Sequence, residues 1–280
     1  MTLDEAYAEC ARITRRAGPN FSVGFDVLPR AKRQAVQASY AFCRLTDDLA
    51  DEPDVVADPG RMLAAWRAEL AAVYRDEATH PVGRALSDAV RRYPIPRRSF
   101  DDLIRGCEQD LVFRPPAGLA ALRRYCDLVA TPIGEMSLAI FGGGRARLAP
   151  RARHLAHAFQ WTNMLRDVRE DFERDRVYLP ADWRAEHGLD DDLLAPSARP
   201  ALMDVIRRGV EVARSHYEQA AGLAERVDPD AQATVRLMTG VYREILERIA
   251  RDPERVLVER VGLADHEKRS LVEAELRASA

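Results

Sequence analysis

A chain of 280 residues, 47% hydrophobic and 31% charged, is long enough to bury an ample core in one large domain or two small ones. Its net charge of −3 scatters Lys and Arg among nearly equal numbers of carboxylates, which gives no basic footprint for nucleic acid. A membrane span needs about 20 apolar residues, and the longest apolar run, residues 128–141, is shorter and holds Pro132 and Glu135.

Met1 to Glu5 contain neither a basic start nor an apolar run, so no secretory signal is expected and the expected location is cytoplasmic. Cys10, Cys43, Cys107 and Cys126 lack the close pairing of zinc sites, which predicts buried free thiols. Ala, Leu, Arg and Glu dominate, and no stretch alternates β-branched residues with polar ones, so the sequence predicts an all-α protein.

Residues 3–16 form the first predicted helix, stopped by Gly18-Pro19, and Asn20 to Phe25 follow as a turn or short helix lined with aromatics. Pro29 opens a helix that runs to about residue 52, where Pro53 forbids continuation. Helices are predicted at 60–76, 82–93 and 97–113, then one long helix at 118–141 with a weak point at Thr131-Pro132 and a flexible stop at Gly142-Gly143-Gly144. A helix near 150–173 precedes a polar, turn-rich loop reaching 196, and two long helices, near 197–226 and 229–251, lead to a charged segment from Pro253. With no low-complexity linker and no internal repeat, a single domain over 1–280 is expected.

Two of these helices carry the chemistry. Gln160, Asn163, Asp167 and Asp171 recur at steps of three or four, which places them in one stripe. Tyr40, Arg44, Asp47 and Asp51 do the same on the helix after Pro29. An Asp pair four residues apart ordinarily marks a solvated helix surface. Here apolar neighbours flank both stripes (Ala41, Phe42 and Leu45; Phe159, Trp161 and Leu165), and acids facing a helical core need a compensating cation. Mg²⁺ suits such oxygen ligands, keeping waters and substrate phosphate oxygens in its remaining positions. Two facing Asp pairs would then clamp a diphosphate through Mg²⁺, with Arg44 and Arg166 gripping its remaining charge. The chemistry implied is ionisation of an organic diphosphate. A di-iron site is not supported, because the one Glu-x-x-His, Glu77 to His80, abuts Pro81. His154 and His157 share a helix face without further ligands and read as ordinary histidines.

The stretch Tyr40-Ala41-Phe42-Cys43-Arg44-Leu45-Thr46-Asp47-Asp48-Leu49-Ala50-Asp51 resembles the first aspartate motif of the squalene and phytoene synthase family. Gln160 to Asp171, continuing through Asp175-Arg176-Val177-Tyr178-Leu179-Pro180, resembles the second, in matching order and spacing. Between them, Tyr125 to Gly134 resemble a central helix whose small residues line the prenyl tunnel, and Tyr242 matches a late tyrosine near the substrate. The resemblance implies an isoprenoid synthase fold, a single helical bundle around a prenyl cavity that joins two allylic diphosphates head to head. It implies Asp47, Asp51, Asn163, Asp167 and Asp171 as Mg²⁺ ligands, and Tyr40, Arg44, Gln160 and Arg166 as contacts to diphosphates or intermediates. Asn20, Phe21, Phe25, Val129, Ile133 and Tyr242 complete the implied substrate-binding set. One departure stands out: where many members carry a His-Ser-Lys-Ser-Phe-like segment, this chain reads Ala17-Gly18-Pro19-Asn20-Phe21. Phe21 is kept, but a cationic phosphate contact is missing, and a basic residue from elsewhere, such as Arg15 or Arg16, is the expected replacement.

Bulky Phe25 near the expected pocket favours two farnesyl diphosphates, giving presqualene diphosphate or a C30 product such as squalene, hydroxysqualene or dehydrosqualene. The alternative is phytoene from two geranylgeranyl diphosphates. A reading from another class is a non-catalytic helical assembly subunit, against which the intact aspartates stand. Gly142-Gly143-Gly144 is no dinucleotide fingerprint, so NADPH is disfavoured. Greasy substrates make peripheral contact with membranes a further expectation.

Overall fold

In a computed structural model, which describes residues 1–51, 58–189 and 192–278, the described residues form fourteen α-helices and no strand. The amino-terminal half contains α1 (Leu3–Ala17), α2 (Pro19–Phe25), α3 (Arg30–Asp51), α4 (Pro59–Val73), α5 (Pro81–Arg92), α6 (Arg97–Asp110) and α7 (Leu119–Val129). The remainder contains α8 (Thr131–Phe141), α9 (Arg145–Arg166), α10 (Val168–Phe172), α11 (Ala181–Glu186), α12 (Arg199–Gln219), α13 (Pro229–Arg251) and α14 (Asp265–Ala278). No described helix is long and apolar enough to cross a membrane.

Local sequence explains most of these elements. A capping box opens α1: Thr2 Oγ1 accepts the Glu5 amide at 3.2 Å while the Glu5 carboxylate accepts the Thr2 amide at 2.7 Å. Asp4 and Glu5 in its first turn and Arg15 and Arg16 in its last complement the helix dipole. Buried α3 is tied down by aromatics: Phe42 stacks on Trp66 of α4 at 4.6 Å and meets Phe100 of α6 edge-on at 5.1 Å. The indole of Trp66 donates to Thr46 Oγ1 at 2.9 Å, so the polar atom buried with it is satisfied.

Helices α3, α8, α9 and α13 surround the interior, with α1 and α5 backing α3, α12 backing α9, and α2 on α13. A side chain at Gly209 of α12 would collide with Leu165, so the glycine permits the close approach of α12 to α9. Trp161 of α9 stacks at 5.9 Å on Trp183 of α11, which Arg208 covers at 4.2 Å.

Several boundaries differ from expectation. The expected 118–141 helix is two helices, separated at Ala130, because Pro132 has no amide to bond the Leu128 carbonyl, crowds it with its ring, and sits in the opening turn of α8. Helix α9 begins five residues before Pro150, whose missing amide removes one early hydrogen bond without ending the helix. It stops at Arg166, and Asp167 (φ −98°, ψ 12°) links it to α10, so the expected single helix to 173 is broken inside the polar stripe. The expected loop before 196 contains α11, and the charged carboxy-terminal segment folds into α14. Gly142-Gly143-Gly144 is a built turn: all three have positive φ, and a Cβ at Gly142 would overlap Asp228 while one at Gly143 would overlap the Arg226 carbonyl. Glu52 and Pro53, where the third helix was expected to end, lie outside the described residues.

All four cysteines are buried, and none is in a disulfide. His157 and His216 are also buried, at the junction of α7, α9 and α12. His157 Nε2 lies 3.0 Å from Asp127 Oδ1, and His154 Nδ1 lies 2.9 Å from His216 Nδ1, with Arg153 holding Asp127 at 2.6 Å. Burial pushes both His157 and His216 down to about 4, prevailing for His157 over the opposing pull of Asp127. Unfolded histidines titrate near 6.5, so above that pH both states are neutral; below it the unfolded chain takes up protons that the folded chain refuses. Stability is therefore expected to fall from about pH 6.5 toward pH 4, by up to about 1.4 kcal/mol per pH unit for each histidine. Urea unfolding at pH 7.5 and 5.0 checks this, with a His157→Gln, His216→Gln chain expected to lose less stability on acidification than the parent.

Candidate active site

The four central helices enclose a cavity of about 500 Å³ with a polar mouth and an apolar depth. On α3, Tyr40, Cys43, Arg44 and Asp47 reach its wall at helical spacing. On α9, Phe159, Gln160, Asn163 and Arg166 do so, followed by Asp167 at the break. Asn20 and Phe21 of α2, Val129 of α7, Ile133 of α8 and Tyr242 of α13 also line it. The structure thus brings most of the expected site residues onto one cavity.

Two do not reach it. Phe25 is buried behind the wall, 6.2 Å from both Phe21 and Tyr40, because α2 turns its ring into the core. Asp171 is on α10, past the break, and is absent from the cavity wall; its carbonyl accepts the Arg174 and Arg176 amides. The Asp51 side chain lies outside the described residues.

Electrostatics concentrate at Asp167. Arg166, itself buried, grips the carboxylate with Nε at 2.7 Å and Nη2 at 2.5 Å. Arg260 reaches the same two oxygens at 3.0 and 3.3 Å from the segment before α14. Burial alone would raise the Asp167 carboxyl, but the hydrogen bonds and charge of Arg166 and Arg260 prevail and hold it below the usual carboxylate range. Desolvation acts against charge on Arg166 as well, and Asp167 overcomes it, so the guanidinium is firmly protonated. Across the mouth, Arg44 pairs with Asp48 at 2.5 Å, and the Cys107 thiol sits 3.2 Å from Asp47 Oδ1.

An aromatic cluster stands beside this charge. Phe159 stacks on Tyr242 at 4.4 Å, Phe21 lies 5.1 Å from Tyr242 and 5.6 Å from Tyr40, and all four rings line the cavity. Ring faces attract cations, so the cluster suits a positively charged intermediate. Gly18 makes room for it, since a side chain there would collide with the Tyr40 phenol. That is one physical reason for small residues in the Ala17 to Asn20 segment.

The metal expectation can be tested on the side chains present. Among the described residues no group of three His, Cys, Asp or Glu side chains gathers to hold an ion unaided. Asn163 Oδ1, however, is buried with no hydrogen-bond partner, a costly arrangement for an amide oxygen unless something in the cavity takes it up. With Asp47 and Asp167 on the same wall, the donors are all hard oxygens and few in number, which fits Mg²⁺ completed by water and phosphate oxygens.

A family model described as squalene/phytoene synthase matches residues 14–267. The chain belongs to the squalene/phytoene synthase family. A phytoene synthase of Mycobacterium tuberculosis is 34% identical over 99% of this chain and 92% of its own length. The 15-cis-phytoene synthase of Synechococcus elongatus is 34% identical over 89% of this chain and 85% of its own. Among solved structures, a dehydrosqualene synthase superposes with a TM-score of 0.88 at 26% identity, over 99% of this chain and 97% of that one. The squalene synthase HpnC of Alicyclobacillus acidocaldarius gives 0.82 at 30% identity, over 89% and 94%. This squalene/phytoene synthase family member is therefore a prenyltransferase with the isoprenoid synthase fold, and the reading as a non-catalytic subunit falls.

Within the family site, sequence reasoning missed Phe159, Arg260 and Lys268, all of which line the cavity. Phe159 was findable, standing four residues before Asn163 on the same stripe. Arg260 and Lys268 carry no such local signal, because a long-range docking of the carboxy-terminal segment brings them to the cavity wall.

Proposed function

We propose that the enzyme joins two geranylgeranyl diphosphates head to head, releasing two diphosphates and forming phytoene. The observation that carries the reading is the cavity's division into a cationic, oxygen-rich mouth and an apolar depth. The farnesyl expectation rested on Phe25, which stands behind the wall. The apolar wall mixes small residues, among them Ala130, Gly134, Ser137, Ala152 and Ala156, with larger ones such as Leu138 and Phe141, and room beside the small residues suits the longer chain. The full-length similarity to phytoene synthases supports the same choice.

In this reading, Asp47, Asn163 and Asp167 would hold Mg²⁺, with Asp51 and Asp171 implied by the motif resemblance. Bound there, the metal would supply Lewis-acid stabilisation of the departing diphosphate. Arg44 and Arg166 donate to that diphosphate as the C–O bond breaks and the electron pair leaves on oxygen. The double bond of the second substrate attacks the allylic cation, and loss of a proton closes a cyclopropylcarbinyl diphosphate. A second C–O cleavage, rearrangement and proton loss give the hydrocarbon. The Phe21, Tyr40, Phe159 and Tyr242 rings face the cations, and the apolar wall keeps out the water that would quench them. No reductant is consumed, so NADPH has no role in this sequence.

The similarity in fold to a dehydrosqualene synthase, at a TM-score of 0.88, favours a second reading with two farnesyl diphosphates. Purified protein with Mg²⁺ and each substrate, analysed for diphosphate release and by mass spectrometry, separates the two. A C40 hydrocarbon formed without NADPH is the expected product. Preferential C30 formation would replace the C20 reading, and no diphosphate release from either substrate would overturn both.

A further inference from the structure

The end of the cavity opposite the charged mouth is closed by a connection between helices. Arg166 ends α9, whose 22 residues span roughly 33 Å, and Gly142-Gly143-Gly144 join the start of that helix to Phe141 at the end of α8. Phe141 therefore stands far from Asp167, and with Leu223 and Val227 it makes a buried, apolar close to the cavity. Leu223 and Val227 belong to residues 220–228, which join α12 to α13.

Three of the helices around the cavity tie this connection down. From α8 the Phe141 carbonyl accepts the Asp228 amide at 3.0 Å, and from α9 Arg151 Nε donates to the Ala221 carbonyl at 3.2 Å. From α3 comes a charged tie: Lys32 Nζ donates to Asp228 Oδ2 at 2.9 Å and to Asp230 Oδ1 at 2.5 Å. Lys32 lies about four turns, roughly 22 Å, before Asp47 on that helix. Its side chain is 11% exposed against 47% and 45% for the carboxylates, so it reaches out from the interior to a pair that water also solvates. Burial opposes charge on the ammonium, and the hydrogen bonds and charge of Asp230 and Asp228 prevail. Such an ion pair is a weak source of net stability, and its best-attested use is to fix one arrangement. The Gly142 turn presses on Asp228 from the other side, so the arrangement fixed here is tight.

We propose that residues 220–228 are the floor of the prenyl cavity, and that Lys32, by pinning Asp228 and Asp230, fixes the height of that floor and so the longest prenyl chain the enzyme accepts. The inference deepens the head-to-head reading and rests on it for the identity of the ligand. Lys32 touches no substrate in this account. It is a positioning residue that acts through Val227 and Leu223.

The probes are thiolodiphosphate analogues of farnesyl, geranylgeranyl and geranylfarnesyl diphosphate, in which sulfur replaces the bridging oxygen and slows ionisation. Their affinities for the full chain with Mg²⁺ are measured calorimetrically and compared as ratios, because a misfolded fraction cancels from a ratio. In the parent, affinity should rise from the C15 to the C20 analogue and gain nothing at C25. In Lys32→Met the two carboxylates lose their shared cation and the connection can lift, so the C25-to-C20 ratio should rise roughly tenfold or more, with the parent value restored in Lys32→Arg. Val227→Phe raises the floor without touching the ion pair, and its C20-to-C15 ratio should fall by a similar factor. A merely structural lysine would lower all three affinities together, and that result would overturn its role. Unchanged ratios in Val227→Phe would overturn the floor itself, whether or not Lys32→Met folds. Turnover of geranylgeranyl diphosphate by the parent, with ratios indifferent to both substitutions, would overturn this inference alone. A length limit that moves as expected, without diphosphate release from any natural prenyl diphosphate, would overturn the condensation reading and leave the floor standing. Binding of none of the analogues would overturn both.

Discussion

Replacing Asp167 with alanine is expected to abolish turnover and to weaken the fold. Loss of transition-state stabilisation at the departing diphosphate corresponds to a fall in kcat of roughly 10³-fold or more. The stability loss has a separate origin: buried Arg166 keeps its charge after its bidentate partner is gone. Breaking such a buried pair from one side typically costs about 3–5 kcal/mol. Asp47→Ala isolates the first effect. Its carboxylate is half-buried and takes the Cys107 thiol at 3.2 Å, so turnover should fall comparably while stability changes by about 1 kcal/mol. Diphosphate release and urea denaturation on both variants measure the two quantities independently. Near-normal turnover in either would show that the oxygen cluster at the mouth is not where ionisation occurs.

Filling the depth of the cavity should change which substrate is used. Ser137 lies on the α8 wall, and Ser137→Phe would occupy space that the last isoprene unit of a C20 chain needs. Five carbons at about 0.8 kcal/mol per buried CH₂ amount to about 4 kcal/mol, so kcat/KM for geranylgeranyl diphosphate should drop roughly 10²–10³-fold. The value for farnesyl diphosphate should change far less, and competition between the two substrates reads the ratio directly. Equal losses for both would place the chain terminus elsewhere. Gly134→Ala is a stricter test of packing, because its Cβ would sit 3.0 Å from the Ala152 carbonyl and 3.3 Å from the Ala156 methyl. Overpacking of this kind costs about 1–3 kcal/mol and draws α8 away from α9.

What the sequence disclosed, and what it withheld, follows from the range of the forces involved. Helices α3 and α9 were legible because a 3.6-residue period puts Tyr40, Arg44 and Asp47 on one face, and Gln160 and Asn163 on another. The all-α class followed from composition. The break at Asp167 was not legible, since Val168 and its neighbours fit a helical pattern on both sides of it, and the step removes Asp171 from the wall. Phe25 misled for a similar reason: aromatic content says nothing about which way a seven-residue helix turns its rings. Helix α14 was read only as charge, because its first two turns are dominated by Asp265, Glu267, Lys268 and Arg269. What holds it is distant pairing, Arg248 with Glu267 and Arg236 with Glu275, which no local pattern announces.

The Arg260–Asp167 contact spans 93 residues of chain, and the cavity wall runs from Ala17 to Lys268. A growing chain therefore assembles α3 and α9, with their charged faces, well before Arg260 and Lys268 emerge. Until then Asp167 has Arg166 alone, and the apolar depth is open on its α2–α14 side to solvent and to any hydrophobic surface nearby. Synthesis of the carboxy-terminal segment is the step that closes this vessel, and it leaves the interval before it as the period when the nascent protein most needs shielding.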